Sequence, residues 1–183
     1  IYNGMREPKK AEKYYLMAIE IYEKLANEKP EAYMFKLAEA YIDMATLYLE
    51  YKRYGDAEKY FNLCEKTIFK EPYIRFEDYR IKVLRPGIFI TLLRYLYTYG
   101  NFVAGKSPSR SLMYYEYALN VLRDYSLEIR SAEDLADFSE LFEKIAKSFI
   151  DTVSRIYEKH RDQDLIKKSI ELIENLKYVP LLR

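Results

Sequence analysis

The sequence predicts an all-α protein made of antiparallel helical hairpins. Apolar residues recur at spacings of three and four residues through most of the chain, which is the period of an amphipathic helix. Pro and Gly residues separate these stretches at positions where helices typically begin and end. The same order of small and aromatic residues also returns on several predicted helices. These observations favour paired helices over a sheet, since an isolated strand would have no partner.

Apolar stripes and breakers place the first three helices. The first helix follows Pro8, and its stripe consists of Ala11, Tyr14, Tyr15, Ala18, Ile19, Tyr22 and Leu25. Pro30 can open a second helix, which the apolar spacing extends to about Tyr51. Gly55 is expected to mark the tight turn before the third helix.

The middle of the chain is less regular. From Tyr79 to Val83, apolar and basic residues alternate, which fits either a short strand or, as the helical neighbours favour, a short helix. We expect a break at Pro86-Gly87 and a further helix from about Ile88 to Tyr99. The composition of 100–109 predicts a loop.

Start signals mark the helices of the C-terminal half. Ser107 followed by Pro108 resembles an N-cap with Pro in the first helical turn. The segment Ser131–Asp134 has the form of another helix start, and the helix that follows is predicted to reach about His160. After a short turn, Leu165–Lys177 is predicted to be the last helix.

Composition limits the class of protein. The chain has 183 residues, of which 50% are hydrophobic, and this is sufficient for one packed domain. Its formal net charge of +1 provides no global field for nucleic acid, a membrane or an acidic substrate. We expect a soluble, cytoplasmic protein, because no apolar run is long enough to span a bilayer and Cys64 is the single cysteine.

Two further expectations concern the source and the start of the chain. Trp is absent, Gln163 is the single Gln, and Lys and Glu are frequent, a composition that resembles that of heat-adapted proteins. The sequence starts with Ile1 rather than Met, which leaves open whether residues or a domain precede it.

One hairpin carries a recognisable pattern of residues. It contains Tyr41, Met44, Ala45 and Tyr48 on its first helix and Ala57, Phe61 and Cys64 on its second. This order resembles the tetratricopeptide repeat, whose signature places an aromatic residue, a small residue and a Tyr before A-x-x-x-F. Partial copies stand at Ala11, Tyr15 and Ala18 and at Ser111, Tyr115 and Ala118, and a full copy at Ile150, Val153, Ser154, Tyr157, Ile166, Ile170 and Ile173. The resemblance implies a superhelix of stacked hairpins.

The chain departs from that family in two respects. Its copies are farther apart than the family's repeat of about 34 residues, so we expect longer helices and an inserted loop within one domain over 1–183. A well-known peptide mode of the family clamps a C-terminal carboxylate with Lys and Asn. Those positions hold Ile42 and Thr46 in one hairpin and Asp151 and Arg155 in another. The resemblance therefore implies a non-enzymatic protein-interaction module, without that ligand.

A groove for a protein or peptide partner is the predicted site. The first-helix positions expected to face it are Ile42, Thr46, Leu49, Glu50, Asp151, Arg155, Glu158 and Lys159, unless they pack against a neighbouring hairpin. The sequence also has 21 tyrosines, more than a core usually hides, and surplus Tyr is typical of interfaces. The partner could therefore be a second copy of the chain.

A nucleic-acid interface is the first alternative. Between Lys70 and Arg110, eight basic residues stand against three acidic ones, with aromatic residues interleaved. Such a composition suits phosphate contacts and base stacking. The residues proposed for it are Arg75, Arg80, Lys82, Arg85 and Arg94. A solvated face with core aromatics explains the same segment.

A nucleotide site is the second alternative. The segment Gly100–Ser107 matches G-x-x-x-x-G-K-[ST], in which Gly105, Lys106 and Ser107 would contact phosphates and Mg²⁺. Such a loop needs a strand before it, and the preceding residues are helical in pattern. His160 and Cys64 lack the partners that a metal site or a nucleophile requires. We therefore expect no cofactor, no metal and no enzymatic activity.

Overall fold

The computed structural model describes residues 8–69, 86–125 and 132–176, and all regular structure in these ranges is helical. The seven helices are α1 (Pro8–Glu28), α2 (Pro30–Glu50), α3 (Tyr54–Ile68), α4 (Pro86–Ala104), α5 (Pro108–Tyr125), α6 (Ala132–His160) and α7 (Gln163–Leu176). The all-α prediction is confirmed for these ranges. The strand or short helix expected before Pro86 and the helix start at Ser131 lie outside the described residues.

The chain groups into two compact units, Ile1–Tyr95 and Leu96–Arg183. The boundary falls inside α4, so the first part of this helix belongs to one unit and its end to the other. The single domain over 1–183 stays a prediction. Within the described ranges, no helix combines the length and the apolar character needed to cross a bilayer.

In the first unit, α1 and α3 each pack against α2. The seven residues of the recognisable hairpin are all buried: Tyr41, Met44, Ala45, Tyr48, Ala57, Phe61 and Cys64. Their prediction as core residues is confirmed. The ring of Tyr60 lies 6.1 Å from that of Tyr41 and 5.5 Å from that of Tyr48. Burial raises the pKa of the Cys64 thiol, so the thiolate is disfavoured in the folded protein.

Tyrosine hydroxyls of α2 bind carboxylates of α1. The Tyr41 hydroxyl donates to Glu23 Oε1 at 2.8 Å, and the Tyr48 hydroxyl donates to Glu12 Oε1 at 2.7 Å. Arg53 donates to the same Glu12 oxygen at 3.2 Å, and its guanidinium lies 4.3 Å from the centre of the Tyr48 ring. Because both tyrosines are buried, these bonds satisfy polar groups that would otherwise be desolvated without a partner.

The turn between α2 and α3 depends on Lys52. Its φ of 57° is in the left-handed region, which is unfavourable for a residue with a Cβ. The Lys52 N–H donates to Leu49 O at 3.0 Å, and the Arg53 N–H donates to Tyr48 O at 2.8 Å, the hydrogen bonds of a Schellman motif. Gly55, expected in this turn, instead lies in the first turn of α3. The prediction that Gly55 makes the turn is wrong because Lys52 supplies the left-handed residue.

In the second unit, α6 packs against both α5 and α7. The predicted copy at Ser111, Tyr115 and Ala118 is buried, as are Ile145 and Phe149 of α6. Ser107 caps α5 as predicted, since its Oγ accepts the N–H of Arg110 at 3.4 Å and Pro108 is the first helical residue. Similarly, Asp162 Oδ1 accepts the N–H of Leu165 at 3.0 Å at the start of α7.

Two predictions for this unit are corrected. The loop expected over 100–109 is helical as far as Ala104, because Gly100 is used for close helix packing rather than as a breaker. In the hairpin of α6 and α7, four residues are exposed although they have the spacing of buried residues in the hairpin of α2 and α3. They are Ile150, Ser154, Ile170 and Ile173. Equal spacing does not give equal burial, because burial also depends on which elements lie against the helix.

We predict that Lys52→Gly stabilises the protein by about 0.5–1 kcal/mol. Glycine removes the left-handed strain, and the greater entropy of the unfolded chain offsets part of that gain. Urea unfolding monitored by circular dichroism would measure the difference. Gly55→Ala is the matched control and should not destabilise, because a Cβ at Gly55 would meet nothing within 4 Å. A loss of stability in Gly55→Ala with no gain in Lys52→Gly would contradict this account of the turn.

A second prediction concerns stability at alkaline pH. Burial, followed by the bond to Glu12, raises the pKa of Tyr48 in the folded protein. The contribution of this hydroxyl is therefore complete below about pH 10, where the unfolded chain also keeps the proton, and declines above it. We expect Tyr48→Phe to be about 1 kcal/mol less stable than the parent at pH 7. The difference should shrink as pH rises above 10.

Urea unfolding at a series of pH values would test this dependence. Tyr54→Phe is the control, since Tyr54 is exposed and its removal should leave stability unchanged at every pH. A difference between Tyr48→Phe and the parent that stays constant up to pH 11 would exclude the proposed linkage.

Candidate functional site

Some of the described residues of the second unit line an open pocket with a volume of about 520 Å³. This volume is within the range of about 300–1,000 Å³ that is typical of ligand sites. Its walls come from the end of α4, from α5 and from α6. The lining residues are Asn101, Ala104, Tyr115, Ser148, Asp151, Thr152, Ser154 and Arg155. Most of these residues carry a hydrogen-bonding group in the side chain, and the accessible wall combines these groups with apolar surface.

Tyr115 is the rigid part of this pocket. Its ring is buried, and a Cβ added at Gly100 would lie only 2.7 Å from the ring atom Cε1. Its hydroxyl donates to Asn101 Oδ1 at 2.6 Å. The side chain is therefore held by helix packing at its ring and by a hydrogen bond at its tip. Asn101 is in turn oriented, because its oxygen is engaged and its amide nitrogen remains to donate to a ligand.

The surroundings of Tyr115 favour its neutral form. Burial raises the pKa of Tyr115, and the hydroxyls of Ser111 and Ser148 and the positive charge of Arg155 act in the opposite direction. At neutral pH the phenol keeps its proton and serves as a hydrogen-bond donor. Tyr115 thus contributes structure and polarity to the pocket rather than a charge.

Asp151 and Arg155 are the charged residues of the pocket wall. A guanidinium nitrogen of Arg155 donates to Thr152 Oγ1 at 3.1 Å, and Thr152 is buried. Within the described part of the chain, Arg155 has no carboxylate within 4.0 Å and Asp151 has neither a hydrogen bond nor an ion pair. The pocket therefore combines a positive and a negative group that the described residues do not pair.

The sequence contains a polar pattern on α6 that indicates this pocket but was not part of the groove prediction. Ser148, Asp151, Thr152 and Arg155 follow one another at i, i+3, i+4 and i+7, which places them on one face of α6. This polar stripe adjoins the apolar stripe that was used to predict the helix. Asn101 was missed for another reason, since it was assigned to a loop. Asp151 and Arg155 are the two predicted groove residues that the structure brings together in a pocket.

The other predicted groove residues have different surroundings. Ile42 is only 1% exposed and therefore cannot contact a partner without rearrangement of the fold. Thr46 is half-buried and donates to Ile42 O at 2.8 Å within its own helix. Leu49 is half-buried, and Glu50 is exposed. Farther along α6, Glu158 and Lys159 are exposed and do not line the pocket.

Of the residues proposed for a nucleic-acid interface, the structure describes Arg94. This arginine of α4 forms an ion pair with Asp43 Oδ1 at 2.7 Å, so its charge is partly balanced within the first unit. The other four, Arg75, Arg80, Lys82 and Arg85, lie outside the described residues.

The residues proposed for a nucleotide site lie at a connection between two helices. Gly105 and Lys106 form the turn after α4, and Ser107 precedes α5. The backbone N–H groups of Lys106 and Ser107 both donate to Val103 O, at 3.0 and 2.8 Å. They are therefore not directed outward as a phosphate cradle requires. The Lys106 amino group lies 5.2 Å from the centre of the Phe102 ring.

Metal-binding and nucleophilic chemistry have little support among the described residues. No group of three or more His, Cys, Asp or Glu side chains is placed to hold a metal ion in the part of the chain that the structure covers. Cys64 is buried with a raised pKa, which is the opposite of the environment that activates a cysteine. His160 is exposed at the end of α6.

Comparison with known proteins adds no relative. No protein-family model matches the chain, and no curated protein or solved structure has significant similarity to it. The resemblance to the tetratricopeptide repeat therefore stays a prediction.

We predict that Gly100→Ala lowers stability, by up to about 2 kcal/mol. Alanine favours the helix by about 1 kcal/mol, but its methyl group would collide with a buried ring, and such overpacking typically costs about 1–3 kcal/mol. Thermal and urea unfolding would measure the change. Gly105→Ala is the control and should be tolerated, because a Cβ there meets nothing within 4 Å. A more stable Gly100→Ala would show that Tyr115 is not held as described.

Proposed function

We propose that this protein is a non-enzymatic module that binds a peptide segment of a partner protein in the pocket between α4, α5 and α6. The observation that carries the proposal is the pocket itself, of about 520 Å³, whose wall bears Asp151 and Arg155 without ion-pair partners among the described residues. Ligand sites combine a concave wall with a small number of placed polar groups that fix the orientation of the ligand, and this pocket has both.

The chemistry of the pocket supports a peptide as the ligand. A peptide backbone presents donors and acceptors at regular intervals. The Asn101 amide can donate to a backbone carbonyl, and the hydroxyls of Ser148 and Ser154 can donate or accept. Tyr115 supplies an aromatic wall that does not ionise at neutral pH. None of these groups needs to react in order to hold such a ligand.

The helical arrangement also supports this use. Antiparallel neighbouring helices are the unit of tetratricopeptide-like arrays, and stacked hairpins create concave surfaces that bind extended ligands. We propose such an arrangement for this chain, with helices longer than usual for the family. The partner would be another protein or a second copy of the chain.

Obstruction of the pocket provides the test. Ser154 is exposed and lines the pocket, so Ser154→Trp should block entry without disturbing the core. Lys147→Trp adds the same side chain at an exposed position of α6 outside the pocket and is the matched control. Decapeptides would be selected from a random phage-displayed library on the parent protein, and their affinities measured by fluorescence anisotropy.

We expect selected peptides to bind Ser154→Trp at least tenfold more weakly than the parent and to bind Lys147→Trp equally well. Failure to select any peptide that binds the parent would contradict the proposal. Equal binding to the parent and to Ser154→Trp would also contradict it, because the ligand would then occupy another surface.

A further inference from the structure

The pocket holds two opposite charges that are neighbours in sequence but are not paired. Asp151 and Arg155 are four residues apart on α6, a spacing at which oppositely charged side chains can reach each other. In the same helix, Glu140 and Lys144 have this spacing and form an ion pair. Arg155 instead donates to Thr152 Oγ1 at 3.1 Å. Because Thr152 is buried, this bond anchors the guanidinium to a fixed point of the helix.

The anchored guanidinium keeps most of its binding capacity. An arginine side chain has five N–H donors in a planar fork, and the bond to Thr152 engages one nitrogen. The remaining donors are suited to a carboxylate, which can accept two parallel hydrogen bonds. The Asp151 carboxylate, which has no partner among the described residues, is suited to an ammonium or guanidinium group.

Together the two charges discriminate against ligands of a single sign. An anion attracted by Arg155 is repelled by Asp151, and a cation attracted by Asp151 is repelled by Arg155. A ligand that carries both signs satisfies both residues, and like-charge contacts across an interface are unfavourable. The surrounding wall, with the oriented amide of Asn101 and the hydroxyl of Ser148, suits a peptide backbone between the two charges.

We propose that the pocket selects a peptide segment with one acidic and one basic side chain, the acidic side chain bound by Arg155 and the basic side chain by Asp151. This inference rests on the proposed function of the same pocket and specifies the chemistry of its partner. Affinity should fall as salt increases, since both contacts are near the surface.

Charge substitutions test the inference. Decapeptides from the random phage-displayed library would be selected in parallel on the parent, on Arg155→Glu and on Asp151→Lys. Both residues are exposed, so the variants should keep the helical circular dichroism and melting temperature of the parent. Lys159→Glu and Glu158→Lys, which reverse charges on α6 outside the pocket, are the matched controls.

The parent and both controls should enrich peptides that contain an acidic and a basic residue at a constant separation. Arg155→Glu should enrich peptides with basic residues alone, and Asp151→Lys should enrich peptides with acidic residues alone. Replacing the acidic residue of a peptide selected on the parent by Gln should weaken its binding to the parent at least fivefold. The same replacement should strengthen its binding to Arg155→Glu, because it removes a carboxylate that would face the introduced carboxylate.

Two results would overturn the inference, and they differ in what they say about the proposed function. Selected peptides that lack a charge preference but lose affinity for Ser154→Trp would reject the mixed-charge ligand and retain peptide binding in the pocket. The absence of any selected peptide that is sensitive to Ser154→Trp would reject both.

Discussion

The packing of α4 against α5 depends on the absence of a side chain at Gly100. The Tyr115 ring occupies the space where a Cβ would be, and its hydroxyl reaches Asn101 one residue farther along α4. A glycine in the interior of a helix is unfavourable for the helix itself, by about 1 kcal/mol relative to alanine. At Gly100 this unfavourable effect on the helix accompanies a close contact with the Tyr115 ring. The same contact orients Tyr115 and Asn101, two residues of the pocket. The pocket and the core of the second unit therefore share one structural requirement.

The helix α6 contributes both to the core of the second unit and to the wall of the pocket. Ile145 and Phe149 are buried on one side of this helix, and Thr152 is buried close to the pocket. Thr152 accepts a hydrogen bond from Arg155, which fixes a long and otherwise mobile side chain. Such preorganisation reduces the entropy that a ligand would otherwise have to remove on binding. The Arg155 side chain is thus held in place by the buried Thr152, about one turn earlier on α6.

Sequence periodicity was sufficient to predict the helices in the described ranges and most of the core of the hairpin formed by α2 and α3. This works because a helix that packs on one side must repeat its apolar residues every three to four positions. The caps at Ser107 and Pro108 were equally readable, since they act within a single turn. The end of α4 could not be predicted in this way. Gly100 takes part in tertiary packing, whereas a glycine in the local pattern indicates a helix break. The left-handed backbone conformation of Lys52 was not predicted, since a lysine gives no sign of it.

The site was less predictable than the fold. Asp151 and Arg155 were placed on a groove by analogy with a family, and the structure shows them on the wall of a pocket. Ile42, selected by the same analogy, is buried, because the burial of a helix position depends on the elements around it. Asn101 and Tyr115 join the pocket through contacts between different helices, and such contacts are not encoded in the spacing of residues along either helix.

The buried thiol of Cys64 has a practical consequence. It is the one cysteine of the sequence, it lies in the core between α2 and α3, and its thiolate is disfavoured there. A water-soluble alkylating reagent can modify it only when the first unit opens, so the rate of labelling measures how often that opening occurs. The chain thus contains its own reporter of local unfolding in the first unit, and it needs neither an added fluorophore nor a second cysteine to be removed.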